Sequence, residues 1–248
     1  MNPAFSILRF DAMTLARDNF LAVIAGITAI LVAVFALAGL YRHELGIDHF
    51  QPFVRYFVLI FLVSNVATYG MMFGLIFVEE VESRVRAALM IAPVHAAYLT
   101  ILRTSSVMVW LTIQPFLFTA LVATLWGAVS FGIWPWLALS IALAPLGAVF
   151  MIALSTLAAN RVEALAFGKF FSMLTLPPMA LFLLPAQAWY NFLFLIFPTT
   201  PTIYAFNAFE AGEPLTAMLW LLWGMIYSLA LMALATRRYI RHSYKVIS

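Results

Sequence analysis

The sequence predicts an all-α integral membrane protein. Six transmembrane helices are expected, with an N-terminal interfacial helix, a short charged helix on the cytoplasmic side and re-entrant helices before the last span. Three observations lead there. Apolar residues make up 65% of the 248 and charged residues only 9%, against about 45–50% and about 25% in soluble domains. Mean hydropathy is +1.03, and the oil is spread along the whole length, so residues 1–248 form a single membrane domain. Lysine and arginine, finally, gather in alternate loops between the oily runs.

The elements follow in order. "MNPAFSILRFDAMTLARDNF" alternates charge and oil and carries no small-residue cleavage site. Residues 1–19 are therefore expected to lie as a helix on the membrane surface. Runs near Phe20–Leu40, Pro52–Val78, Ser105–Val129, Trp134–Ala159, Ala164–Leu184 and Leu215–Thr236 each reach the roughly 20 apolar residues that span hydrocarbon. The fifth is the least regular, with Lys169 early in it and Pro177-Pro178 late. With the N-terminus cytoplasmic, the inner side holds Arg9, Arg17, Arg84, Arg86, Arg103, Arg161, Arg237, Arg238, Arg241 and Lys245. The outer side holds only Arg42 and Arg55. The positive-inside rule then puts both termini in the cytoplasm, and Tyr41, Trp126, Trp134, Trp136, Trp189 and Tyr190 near the outer interface. Residues 185–209 are aromatic but broken by Pro198 and Pro201. Two short helices that dip into the outer leaflet are expected there, shielded by protein or water; a plain interfacial loop is the alternative.

Five charges crowd the passage "FVEEVESRVRAALMIAPVHAAYL": Glu79, Glu80, Glu82, Arg84 and Arg86. Val81, Val85, Ala88, Leu89 and Ala92 would share one apolar helix face. Glu80 precedes Arg84, and Glu82 precedes Arg86, by the four residues that favour helical ion pairs. Pro93 ends or bends the helix. Two readings stand on physics alone: a solvated connector, or a helix over 79–93 that docks a partner.

Polar groups within the oil are few. Arg55 could attract an anionic head group or snorkel to the interface. Asn65, Thr68 and Gln114, with Ser64, could line a translocation path or join helices by hydrogen bonds. Gly70-x-x-x-Gly74 allows close helix approach. Glu163 and Lys169 at the entry of span five read as a pair, an inner gate or interfacial solvation. Cysteine is absent, which removes thiol catalysis and thiolate metal sites. The four histidines are divided between inner and outer loops, so no metal is expected. No G-x-x-x-x-G-K-[ST] loop occurs; Gly168-Lys169 is followed by Phe170. The chain should bind no cofactor of its own and no nucleic acid. An ion-coupled secondary transporter would need an acid or base deep in a span, and a lipid-modifying enzyme would need catalytic groups gathered at one interface. Neither pattern is evident.

Glu79-Glu80, then a short helix, then Leu89 and Pro93-Val94 resemble the coupling-helix region of permease subunits in the type-2 class of ATP-binding-cassette exporters. "NRVEALAFGKFFSMLTLPP" and the proline-broken outer segment resemble that family too. Drug-export permeases, including the fluoroquinolone-exporter type, are the nearest within it. The family often has Arg-Glu and Gly-Thr in its coupling helix where this chain has Ser83, Arg84, Val85 and Arg86. The resemblance implies a non-catalytic permease of a bacterial cytoplasmic membrane that moves an amphiphilic, drug-like or lipid-like molecule. It implies a second permease copy or a related one, and two copies of a separate ATPase subunit that binds ATP and magnesium. Glu79, Glu80, Glu82, Arg84, Arg86 and Pro93 would form the docking site for that ATPase, and Arg55, Asn65, Thr68 and Gln114 are candidates for the path.

Overall fold

The computed structural model describes residues 13, 17–83, 96–127, 132–184 and 189–245. The expected interfacial helix over 1–19 falls almost wholly outside the described residues. So do Arg84, Arg86, Pro93 and the apolar face expected around them. In hydrocarbon every backbone N–H and C=O must be satisfied within the segment, so long apolar runs fold as helices. Among the described residues six helical segments are long and apolar enough to cross a membrane, and the protein is a multi-pass membrane protein.

We number the α-helices α1 (Asn19–Leu40), α2 (Gln51–Glu82), α3 (Ala96–Trp126), α4 (Trp134–Leu157), α5 (Arg161–Thr175), α6 (Thr200–Glu210) and α7 (Pro214–Lys245). Among the described residues there is no strand. α3 begins at Ala96 rather than at Ser105, because the third apolar run is preceded by residues that continue the same helix. α5 ends at Thr175, where Pro177-Pro178 withholds two backbone donors and the chain tightens into a 3-10 turn, Pro177–Phe182. A second 3-10 segment, Trp189–Ile196, and then α6 fill the proline-broken stretch. Gly212, at φ 74°, turns α6 into α7; Glu213 N–H closes the turn on Ala208 O at 2.9 Å.

α4 is the axis of the bundle. It packs on α2, α3 and α7, and 72% of its apolar window is buried, against 17% for α1. Small side chains along α4 (Ser140, Ala144, Gly147, Ala148) let neighbours approach, as packing in lipid requires. Gly70 meets Gly147 so closely that a Cβ on it would lie 2.4 Å from the Gly147 carbonyl oxygen. The small-residue spacing in α2 thus marks a helix crossing. α6 is almost entirely covered, by α7 and by α4, where Phe206 lies 5.7 Å from the Trp136 ring. Trp136, at the third position of α4, is fully buried, its ring turned into the bundle and not toward lipid. Trp126 is buried as well and donates Nε1–H to Phe35 O at 2.8 Å. Trp134 and Trp189, in contrast, are 77% and 76% exposed, as amphipathic rings at an interface would be.

Candidate functional site

The start of α1, the end of α2, the start of α3, the start of α5 and the end of α7 meet at one end of the bundle. Tyr239 of α7 packs edge-on against Phe77 of α2 there. α2 has 32 residues, about 48 Å at 1.5 Å per residue, well beyond the roughly 30 Å of hydrocarbon. Its last turns, with Glu79, Glu80 and Glu82, are long enough to project past the apolar layer.

Two arginines organise these acids. Arg103 of α3 donates from Nη1 to Glu80 Oε2 at 2.8 Å and from Nη2 to Glu80 Oε1 at 2.7 Å. Both side chains are buried, 6% and 9% exposed, and the guanidinium lies 5.0 Å over the Phe77 ring. The planar fork of arginine matches a carboxylate bidentately. Glu80 therefore faces the bundle, with both carboxylate oxygens engaged by Arg103. Arg161 joins three elements: it hydrogen-bonds Asp18 Oδ2, pairs with Glu79 Oε2 at 3.9 Å, and donates its backbone N–H to Glu82 Oε2 at 3.4 Å. Glu79 and Glu82 keep exposed surface, so of the three glutamates only these present charge outward.

Asp18 was not singled out by sequence reasoning, although an Asp-Asn step before an apolar run is an N-cap signal. Its carboxylate accepts from Phe20 N–H at 2.8 Å and Leu21 N–H at 3.1 Å. Burial pushes its pKa up, but the Leu21 N–H, the Arg161 guanidinium and the Phe20 N–H outweigh burial and hold it below the ordinary value. A lowered folded-state pKa gives stability that is present above the unfolded value and is lost as pH falls through the folded one. Asp18→Ala should cost about 1–2 kcal/mol at neutral pH. It should also flatten the acid limb of a stability profile recorded by thermal unfolding in detergent; an unchanged midpoint would show that the cap carries no weight.

The candidate path residues separate into three places. Asn65 and Gln114 are buried and face each other across the α2–α3 contact: Gln114 Nε2 reaches Asn65 Oδ1 at 3.5 Å, and Asn65 Nδ2 donates to Phe61 O at 3.0 Å. Thr68 lines a cavity of about 450 Å³ between the charged half of α2, the start of α1 and α5. Lys169 and Ser172 of α5 line it with Thr68. Arg55 lies at the opposite end, where Nη1 donates to Glu210 Oε2 at 2.6 Å and Nη2 donates to Tyr56 Oη at 2.9 Å. Glu210 comes from the end of α6, so this pair ties the short helix to α2. A second cavity of about 180 Å³, walled by Phe35, Phe57 and Phe61 with Ser64 and Thr119, lies along the same α1–α2 seam toward that end. Phe57, Phe61, Ser64, Thr68, Met71 and Leu75 recur every three or four residues, one stripe of α2 that serves both cavities.

Glu163 does not reach toward Lys169. It caps α5: Asn160 Oδ1 accepts the Glu163 N–H, and Glu163 Oε2 accepts the Ala159 N–H, each at 2.9 Å. Among the described residues no three His, Cys, Asp or Glu side chains group as metal ligands.

A search of curated proteins finds no match. A family model does match, over residues 11–236, from ahead of α1 into the last turns of α7; its description is "Fluoroquinolones export permease protein Rv2686c-like". A family so described is one of transport components. Six apolar helices among the described residues, one of them the buried central α4, fit a membrane transport component, and the chain belongs to the Rv2686c-like family of fluoroquinolones export permease proteins.

Proposed function

We propose that the chain is the permease half of an ATP-driven exporter, with two copies, or one copy and a related permease, enclosing a path for fluoroquinolone-like amphiphiles. ATP and magnesium bind a separate ATPase subunit, present twice. Arginine asymmetry supports a cytoplasmic location for the charged end of the bundle, and hence for both termini, in a bacterial inner membrane. The observation that carries the reading is the projecting end of α2, held to α3 by Glu80–Arg103 and to α1 and α5 by Arg161. A motor that pushes on this end moves several helices together, because buried charge pairs resist separation. ATP need only favour one of two arrangements of the permeases to drive the cycle.

Residues Glu82, Arg84 and Arg86 are the charges to remove in a test, since Glu80 serves the interior. The triple alanine variant should lose most of the ATPase that co-purifies with the wild-type chain, and cells expressing it should retain fluoroquinolone, while its thermal stability in detergent stays within about 1 kcal/mol of wild type. Undiminished co-purification and export would refute docking at this end.

A further inference from the structure

The cavity on the charged half of the α1–α2 seam is lined by a lysine that pairs with no carboxylate among the described residues. Lys169 is exposed and makes no hydrogen bond or ion pair among the described residues. Arg55, Arg103 and Arg161 are each engaged by a carboxylate, and so is Arg42, whose Nε lies 3.3 Å from Asp48 Oδ1. Lys169 lies eight residues into α5, about 12 Å along the helix from Arg161. An ionisable side chain within an apolar span marks a functional position by default. Snorkelling would place the ammonium at the interface without explaining the cavity beside it.

That cavity has a definite chemistry. Its volume of about 450 Å³ falls in the range of drug-sized sites. Phe20, Met71, Met72 and Met173 line it, a set of aromatic and thioether surfaces suited to a flat ring, since sulfur packs favourably on aromatics and methionine adapts to shape. Gly168 keeps it open: a Cβ there would already stand 3.0 Å from Met71 Sδ. Thr68, Ser172 and Lys169 are the cavity's polar lining residues, on a wall that is otherwise apolar, and the Ser172 hydroxyl is turned to Met71 Sδ at 3.6 Å.

We infer that this cavity is the cytoplasmic loading site for the cargo, and that Lys169 recognises a carboxylate on a planar aromatic ring system seated among Phe20 and the methionines. The inference rests on the export reading above and adds to it a place and a recognised group. Charge complementarity selects the occupant, because an anionic aromatic matches both the apolar wall and the Lys169 ammonium, which no carboxylate among the described residues engages, whereas a neutral lipid chain matches the wall alone.

The test uses the full chain in phosphatidylcholine nanodiscs, with a fluorescent fluoroquinolone as one probe and its methyl ester as the other. Lys169→Gln should weaken binding of the free acid about tenfold or more, the scale of one lost charge-assisted hydrogen bond. Lys169→Arg should retain it, and the ester should bind wild type and Lys169→Gln alike. Full affinity of Lys169→Gln for the acid, with export intact in cells, would overturn the site and leave the export reading standing. Displacement of the acid by added phosphatidylglycerol would reassign the site to an anionic lipid and overturn it as well. If the wild-type chain binds neither probe and exports neither, the cargo reading falls together with the site.

Discussion

Glu80→Ala should destabilise the protein by about 3–5 kcal/mol, because it takes the bidentate carboxylate away from a buried guanidinium. Arg103→Ala should cost a similar amount from the other side. The double alanine variant should recover a large part of the loss, since neither charge then loses its bidentate partner, and Glu80→Leu with Arg103→Met should come close to wild type. Arg103→Lys should fall between, because an ammonium cannot reproduce two parallel N–H···O contacts. The measurement is a double-mutant cycle by thermal unfolding in detergent. Single-variant costs below about 1 kcal/mol, the range of surface ion pairs, would mean that the pair is wet and contributes little. The apolar double variant also separates folding from coupling. If the pair transmits movement from a motor subunit, that variant should fold, bind the ATPase and still export poorly.

Gly70→Val should be the most damaging apolar substitution in the bundle. The nearest atoms to a new Cβ are backbone: the Gly147 carbonyl oxygen at 2.4 Å and Gly147 Cα at 2.8 Å. No rotamer change relieves a clash with backbone, so α2 and α4 must separate, at a cost of about 1–3 kcal/mol or more. Gly70→Ala should already show the effect. Gly26→Ala is the control, because a Cβ at Gly26 meets nothing within 4 Å, and the change should be neutral or stabilising by up to about 1 kcal/mol through helix propensity. Equal unfolding midpoints for Gly70→Ala and Gly26→Ala would rule out the close crossing. Gly147→Ala tests the same contact from α4, where Val66 O lies 2.9 Å from the new Cβ.

Parts of this molecule were legible before any coordinates. The six spans were readable because hydropathy is a local sum, and each boundary needs only the composition of its own run. The weak fifth span was readable for the same reason, from Pro177-Pro178, and α5 does end two residues before them. The charged passage after α2 could be located, but not its pairing. Arg103 could be counted only as one more cation in a loop, yet it is the residue that takes both oxygens of Glu80. Trp136 could be placed at the opening of a span, but not its ring against Phe206 of α6. Glu210 drew no notice at all. Its role depends on Arg55, which lies 155 residues away in sequence and at hydrogen-bond distance in space.

The sequence by itself determined that the chain belongs in a bilayer, which runs cross it, and that most of its arginines fall in the loops of one side. Those properties follow from transfer of short segments between water and hydrocarbon, and each segment answers to the solvent alone. Tertiary structure decided which acid meets which base, that Gly70 lies on Gly147, and that Thr68 and Lys169 share a cavity while Asn65 and Gln114 close on each other. Lipid does not distinguish one apolar helix face from another, so the rotation of each helix is set by packing and hydrogen bonding with its neighbours. A pairing across the bundle exists only once those rotations are fixed together.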